Sequence, residues 1–152
     1  MIESADDRPS LIDCGTLTTP PRAPVSERLR ALYVQLVDLL DRYQPIEVAI
    51  EEPFVAKNVR SALAVGQARA VAILAAANAG LPVYEYTPNQ VKRSITNYGH
   101  SGKEQVQEMV RLQLGLEAPP QPHDAADALA IALCHVWESR LARLIAQSEE
   151  RK

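Results

Sequence analysis

Aromatic residues are scarce in this chain of 152 residues: one Phe, one Trp and five Tyr. A core must therefore be built from Ala, Leu, Val and Ile, and any aromatic left on the surface gains interest. Two cysteines, Cys14 and Cys134, are too few and too far apart for a disulfide framework or a thiolate metal site. They fit a reducing compartment, and the cytoplasm is expected. No basic segment followed by an apolar one opens the chain, and the longest apolar run, Ala70 to Ala77, falls well short of the ~20 residues that span a bilayer. A soluble, non-exported protein with no membrane partner is expected.

A positive excess is also missing. The net charge is −3, which at first argues against nucleic acid, because phosphate binding relies on Lys and Arg displacing counterions. The distribution says otherwise. Between Phe54 and Gly115 seven basic residues (Lys57, Arg60, Arg69, Lys92, Arg93, Lys103, Arg111) face three acidic ones (Glu85, Glu104, Glu108), so this stretch carries +4 and the remainder −7. One positive face is compatible with that asymmetry, as are ordinary solvated helix surfaces.

What is present alternates between the strand period and the helix period. Leu11 to Leu17 (LIDCGTL) reads as a strand. A helix follows Pro24, with Ser26 as N-cap and Leu29, Leu32, Leu36, Leu39 and Leu40 at helical spacing, and Pro45 stops it. Ile46 to Glu51 (IEVAIE) alternates as a strand. An Ala-rich helix from Asn58 to Asn78 is closed by Gly80, Val83 to Tyr86 is a short strand, and Thr87-Pro88 caps a helix to about Ile95. After the loop TNYGHSG come a helix from Lys103 to Leu114, a Pro-rich connector and a last helix from Asp124 to about Ala146. That helix carries Ala126, Leu129, Ala130, Leu133, Val136, Trp137, Leu141 and Leu144 on its apolar stripe. Such alternation implies an α/β layered domain on a partly parallel sheet, one domain over 1–147 with a frayed tail at 148–152.

Three acids stand where chemistry could use them. Glu51 closes the IEVAIE strand at its C-terminal end, where open α/β sheets place ligands. A solvent-facing acid would look the same. Asp124 and Asp127 lie three apart in the first turn of the last helix and share a face. Simple favourable interaction with the helix dipole explains them equally well. Together, the strand-end Glu and the Asp-x-x-Asp could converge on hard divalent cations, and a pair of such ions activates water and stabilises a leaving oxygen in phosphodiester hydrolysis.

The segment AIEEPFVAKNVRSALAVGQARAVAILAAANAGLPVYEYTPNQVKRSITNYGHSGKEQVQEMV, with HDAADALAIALCH after the Pro-rich connector, resembles the bacterial RuvC family of Holliday junction resolvases in order and in spacing. The resemblance implies an RNase H-like fold with a mixed central sheet flanked by helices. It also implies metal-dependent symmetric nicking of four-way DNA junctions in recombination and repair. Glu51, Asp124 and Asp127 would be the catalytic metal ligands for Mg²⁺ or Mn²⁺, two ions per site. Phe54 would meet bases near the junction centre, while Lys92 and Lys103 would lie near the scissile phosphate, on either side of the loop with Tyr98 and His100. Arg60 and Arg93 join the DNA-contacting set. A homodimer through the Ala-rich helix is implied, as is contact with a branch-migration helicase of the RuvA and RuvB type.

The sequence departs from the family at its start. No Asp-x-Gly strand opens it; Ser4 to Pro9 reads as a hairpin turn, and Asp6, Asp7 and Asp13 are poor substitutes for the absent acid. A first strand missing or incomplete is therefore expected, with doubtful nuclease activity for the chain as written. The rival readings are a nuclease-inactive protein that binds four-way junctions and a non-catalytic module that uses the Ala-rich helix.

Overall fold

The computed structural model describes residues 1–5, 8–52, 58–99 and 101–149. Asp6, Asp7, the Pro53–Lys57 segment with Phe54, His100 and the last three residues lie outside the described set. The order of elements is β1 (Ile2–Ala5), β2 (Arg8–Leu11), α1 (Val25–Tyr43), β3 (Val48–Glu51), α2 (Val59–Asn78), β4 (Val83–Tyr86), α3 (Pro88–Thr96), α4 (Lys103–Gln113) and α5 (His123–Glu149). They divide into two compact units, one made of residues 1–16 and 86–152, the other of residues 17–85.

In the first unit α3, α4 and α5 pack on one another, and α5 also packs on β1. The core sits here: Val91, Ile95, Val106, Val110, Leu114, Ala125, Ala126, Leu129, Ala130, Leu133 and Cys134 are all buried. Their spacing is that of three helical stripes meeting, as the periodicity predicts. Local chemistry fixes where the helices start and stop. Thr87 and Gln90 form a reciprocal capping box with Pro88 in the first turn of α3. At the end of α4, Gly115 adopts φ 63°, donating to the Leu112 carbonyl while Leu116 donates to that of Arg111. This pair of bonds satisfies carbonyls that the helix itself cannot. Two side chains stitch the layers: Gln113 Nε2 donates to the Ile95 carbonyl at 3.0 Å, and Trp137 Nε1 donates to Gln113 Oε1 at 2.9 Å.

The apolar stripe of α5 is buried only in its first half. Leu141 and Leu144 are more than half exposed. The helix begins one residue earlier than expected, at His123, and continues through Glu149.

The start of the chain differs from its sequence reading. A hairpin pairs Ile2 with Leu11, Glu3 with Ser10, Ser4 with Pro9 and Ala5 with Arg8 in antiparallel register. Ser4 and Pro9 are thus ladder residues rather than turn residues, and Pro9 is tolerated because a two-stranded ribbon has edges that need no donor. The strand expected over Leu11 to Leu17 contributes only Leu11. Ile12 and Asp13 both turn their N–H groups to the Met1 carbonyl, and the Met1 amino group donates to the Asp13 carbonyl at 2.7 Å.

In the second unit α1 packs against α2, and Asn78 Nδ2 donates to the Tyr33 hydroxyl at 2.9 Å. The N-cap of α1 is Pro24, whose extended backbone offers its carbonyl to Arg28 N–H at 3.1 Å; the expected cap Ser26 lies inside the first turn. Asn58 caps α2 with its side chain, and Gly80 at φ 71° closes it, donating to Ala77 while Leu81 donates to Ala76. β3 pairs with β4 through a connection that contains α2. It is shorter than IEVAIE because Ile46, 82% exposed, lies ahead of the first bond, Val48 N–H to the Pro82 carbonyl. Among the described residues, the strands pair as β1–β2 and β3–β4.

α2 is long and apolar enough, by length and composition alone, to cross a bilayer. Arg69 stands in its middle, ion-paired with Glu85 of β4, which suits a helix packed in a water-soluble fold better than one in lipid.

Candidate functional site

Asp124 and Asp127 occupy the first turns of α5, which places both carboxylates on one side of the helix. Backbone donors of Ala125 and Ala126 are satisfied by the Pro122 carbonyl, at 2.9 and 3.4 Å, so the turn is closed without using either acid as a cap. Beneath them Ala125 and Ala126 are fully buried, which anchors the turn. Asp124 is exposed and Asp127 half-buried.

Lys103, the first residue of α4, reaches Asp127: Nζ lies 3.0 Å from Oδ2. A predicted phosphate-contacting cation and a predicted metal ligand therefore share one site. One turn further along α4, the buried Gln107 places Nε2 2.7 Å from Nδ1 of His123. His123 and Gln107 were not singled out from the sequence. The only signal that pointed toward them was the HDAAD run itself, in which the His immediately precedes the first acid.

Lys92 is half-buried on α3, and Arg93 beside it is exposed. Among the described residues, ion pairs engage Arg69 with Glu85, Lys103 with Asp127 and Arg111 with Glu108, whereas Arg60, Lys92 and Arg93 form none. Glu85 and Glu108 are already counted in the local +4, so only the Lys103–Asp127 pair lowers the positive charge available to a ligand. In the Glu108–Arg111 pair, the hydrogen bond from the guanidinium holds the Glu108 carboxyl below its ordinary range and Arg111 above its own.

In the second unit, Glu51 ends β3 and is exposed. It lines an open groove of about 360 Å³ together with Leu32 and Leu36 of α1, Ile50, and Val65, Ala68, Arg69 and Ala72 of α2. The groove is apolar apart from Glu51 and Arg69. Arg60 is exposed in the first turn of α2. The small residues expected at a two-fold interface are split: Ala75 and Ala76 are buried, Ala68 and Ala72 line the groove, and Ala64 and Gly66 are exposed beside Leu63 and Val65. Phe54 and His100 lie outside the described residues.

The structure places Asp124, Asp127 and Lys103 in one unit and Glu51 in the other. Among the described residues, no group of three or more His, Cys, Asp or Glu is assembled that could hold a metal ion. As a donor set, three carboxylates suit hard cations such as Mg²⁺ or Mn²⁺, which take oxygen ligands.

Comparison with known proteins is consistent in every direction. The family described as crossover junction endodeoxyribonuclease RuvC matches residues 1–135. The crossover junction endodeoxyribonuclease RuvC of Dehalococcoides mccartyi is 50% identical over 149 residues, 98% of this chain and 89% of that protein. Its counterpart from Chloroflexus aggregans is 57% identical over 127 residues, 84% of this chain and 77% of the relative. Among solved structures, Thermus thermophilus RuvC in complex with a Holliday junction substrate superposes with a TM-score of 0.87 at 37% identity, covering 93% of this chain and 86% of the other. A second structure of the Thermus thermophilus protein gives 0.84 at 38% identity, with the same coverage.

Proposed function

The chain belongs to the RuvC family of crossover junction endodeoxyribonucleases, with that family's RNase H-like fold, and from this premise we propose how its own residues carry the activity. It is an endonuclease that resolves Holliday junctions, acting on four-way DNA in recombination and repair. The observation that supports the site assignment is the 3.0 Å contact between Lys103 and Asp127, which joins a phosphate-seeking cation to a candidate ligand on a rigid helix end.

In this reading Asp124, Asp127 and Glu51 hold Mg²⁺ or Mn²⁺, and residues 1–147 act as one nuclease domain. When bound, two such ions supply an activated water and neutralise charge on the leaving oxygen. Lys103 exchanges Asp127 for a DNA phosphate, and Lys92, Arg93 and Arg60 contact the DNA backbone. Phe54 contacts bases near the junction centre. A symmetric dimer suits a substrate with two equivalent scissile strands, and the exposed Leu63, Val65, Ala64 and Gly66 of α2 offer it an apolar face. A branch-migration helicase of the RuvA and RuvB type is the expected partner, in the cytoplasm.

The test compares cleavage and binding of a labelled four-way junction in Mn²⁺ by the wild type and by Glu51→Gln, Asp124→Asn and Asp127→Asn. Each variant should bind the junction and lose nearly all cleavage, since groups acting as a unit are strongly non-additive. Wild-type binding without cleavage would favour a junction-binding protein that is not a nuclease. Variants that cut at the wild-type rate would remove those acids from the site.

A further inference from the structure

The loop between α3 and α4 displays Tyr98 with 73% of its surface exposed. In a chain so poor in aromatics, a ring left in water calls for a reason, and the backbone behind it is unusually well held. The Thr96 hydroxyl lies 2.7 Å from the Lys92 carbonyl and 2.6 Å from the Ser101 hydroxyl, and it accepts from Tyr98 N–H at 3.2 Å. Ser101, buried, donates from its own hydroxyl to the Tyr98 carbonyl at 3.0 Å. Asn97 takes the left-handed conformation, φ 60°, that ends α3 and turns the chain outward. Both polar groups of the Tyr98 backbone are therefore tied to side-chain hydroxyls, those of the half-buried Thr96 and the buried Ser101, while the ring is largely exposed. Such a residue has already lost the loop freedom that binding would otherwise have to remove.

The surroundings identify the ligand by its chemistry. Arg93 runs its stem along the loop, so that a Cβ placed on Gly99 would meet Arg93 Cγ at 3.4 Å. Lys103 follows the loop directly as the first residue of α4 and reaches Asp127. Cations that flank an exposed ring on a pre-set loop match a polyanion that also offers flat π-faces, which is the composition of single-stranded or unpaired nucleic acid. We propose that Tyr98 stacks on an unpaired nucleobase at the branch of a four-way junction, setting which nucleotide lies at Lys103 and Asp127. The proposal rests on the reading of the chain as a junction endonuclease and adds to it a residue that determines specificity.

The experiment uses four-way junctions carrying 2-aminopurine, one position at a time, at nucleotides flanking the branch. Wild-type protein should quench the probe at one position, and Tyr98→Ala and Tyr98→Leu should lose that quenching, while Tyr98→Phe and Tyr98→Trp keep it. Junction affinity should fall by about 5- to 150-fold in the Ala variant, the range that a single base–aromatic stack commands. An abasic site at the quenched position should weaken the wild type by a similar factor and leave Tyr98→Ala unchanged. Melting curves should superpose for all variants, since the ring is exposed. Quenching and affinity unaffected in Tyr98→Ala, or lost equally in Tyr98→Phe, would overturn the stacking role while leaving the junction reading intact. Failure of the wild type to bind the junction at all would sink that reading, and the proposal with it.

Discussion

Replacing Lys103 by Ala separates what the Lys103–Asp127 contact does for folding from what it does for DNA. At 3.0 Å two unit charges attract by about 1.4 kcal/mol in bulk water, and the two side chains are 56% and 44% exposed, so water and salt screen the pair. Net contributions of such pairs are about 0.2–1 kcal/mol. For a chain of this size the melting temperature should therefore drop by no more than about 4 °C. The functional loss should be larger, because a charge-assisted contact to a phosphate commands about 1.5–3 kcal/mol, or roughly 10- to 150-fold in rate or affinity. Asp127, relieved of a competing cation, should bind Mn²⁺ about 1.4- to 5-fold more tightly, the same 0.2–1 kcal/mol read in the opposite direction. Urea denaturation, gel-based junction cleavage and calorimetric titration of Mn²⁺ measure the three quantities on one preparation, and Lys103→Arg should restore most of the cleavage. A stability loss of several kcal/mol would make Lys103 a structural residue. Unchanged cleavage would remove it from the phosphate site.

Leu133→Ala, at a fully buried position of α5, should cost about 2–5 kcal/mol in chemical denaturation, whereas Leu141→Ala, 54% exposed on the same helix, should stay within about 0.5 kcal/mol; equal losses would contradict the half-buried stripe. Thr87→Ala removes the capping box of α3 and should destabilise by about 1 kcal/mol, an effect that Thr87→Ser should largely avoid. Burial pushes the Cys134 thiol above its ordinary 9.0, so the folded state favours the protonated form; that stability is fully present below pH 9 and is lost as pH rises through the folded pKa. Iodoacetamide at neutral pH should accordingly modify the exposed Cys14 alone until denaturant is added, and fast labelling of both thiols would mean that α5 is not packed as described.

The elements legible in the sequence were those whose boundaries are set by neighbours in the chain. Thr87, Pro88 and Gln90 define a helix start by themselves, and Gly80 and Gly115 define helix ends, because left-handed closure demands little beyond a residue without a side chain. Strand limits depend on partners distant in sequence. LIDCGTL has the composition of a strand, yet its ladder with β1 ends at the Ile2–Leu11 pair. Pro9 looked like a turn residue and turned out to sit opposite Ser4. The candidate site was legible to the same degree. The Asp124–Asp127 spacing follows from one helix, but the pairing of Lys103 with Asp127 and of Gln107 with His123 requires α4 to lie beside the start of α5, and no local pattern announces that. The basic stretch was counted correctly, but a count cannot tell which cations already face carboxylates.

The first unit joins two segments far apart in sequence, residues 1–16 and 86–152, with residues 17–85 synthesised between them. The β1–β2 hairpin is synthesised well before the helix that packs on β1, α5, which begins at His123. Residues 17–85 are synthesised in between and can form their own α1–α2 pair meanwhile. At about 5–20 residues per second, the hairpin waits for several seconds to some tens of seconds before α5 can cover it. During that interval β1 lacks the helix that packs on it. The nascent hairpin is therefore open to mispairing and to chaperone capture in that interval, and release from that state should coincide with the exit of α5.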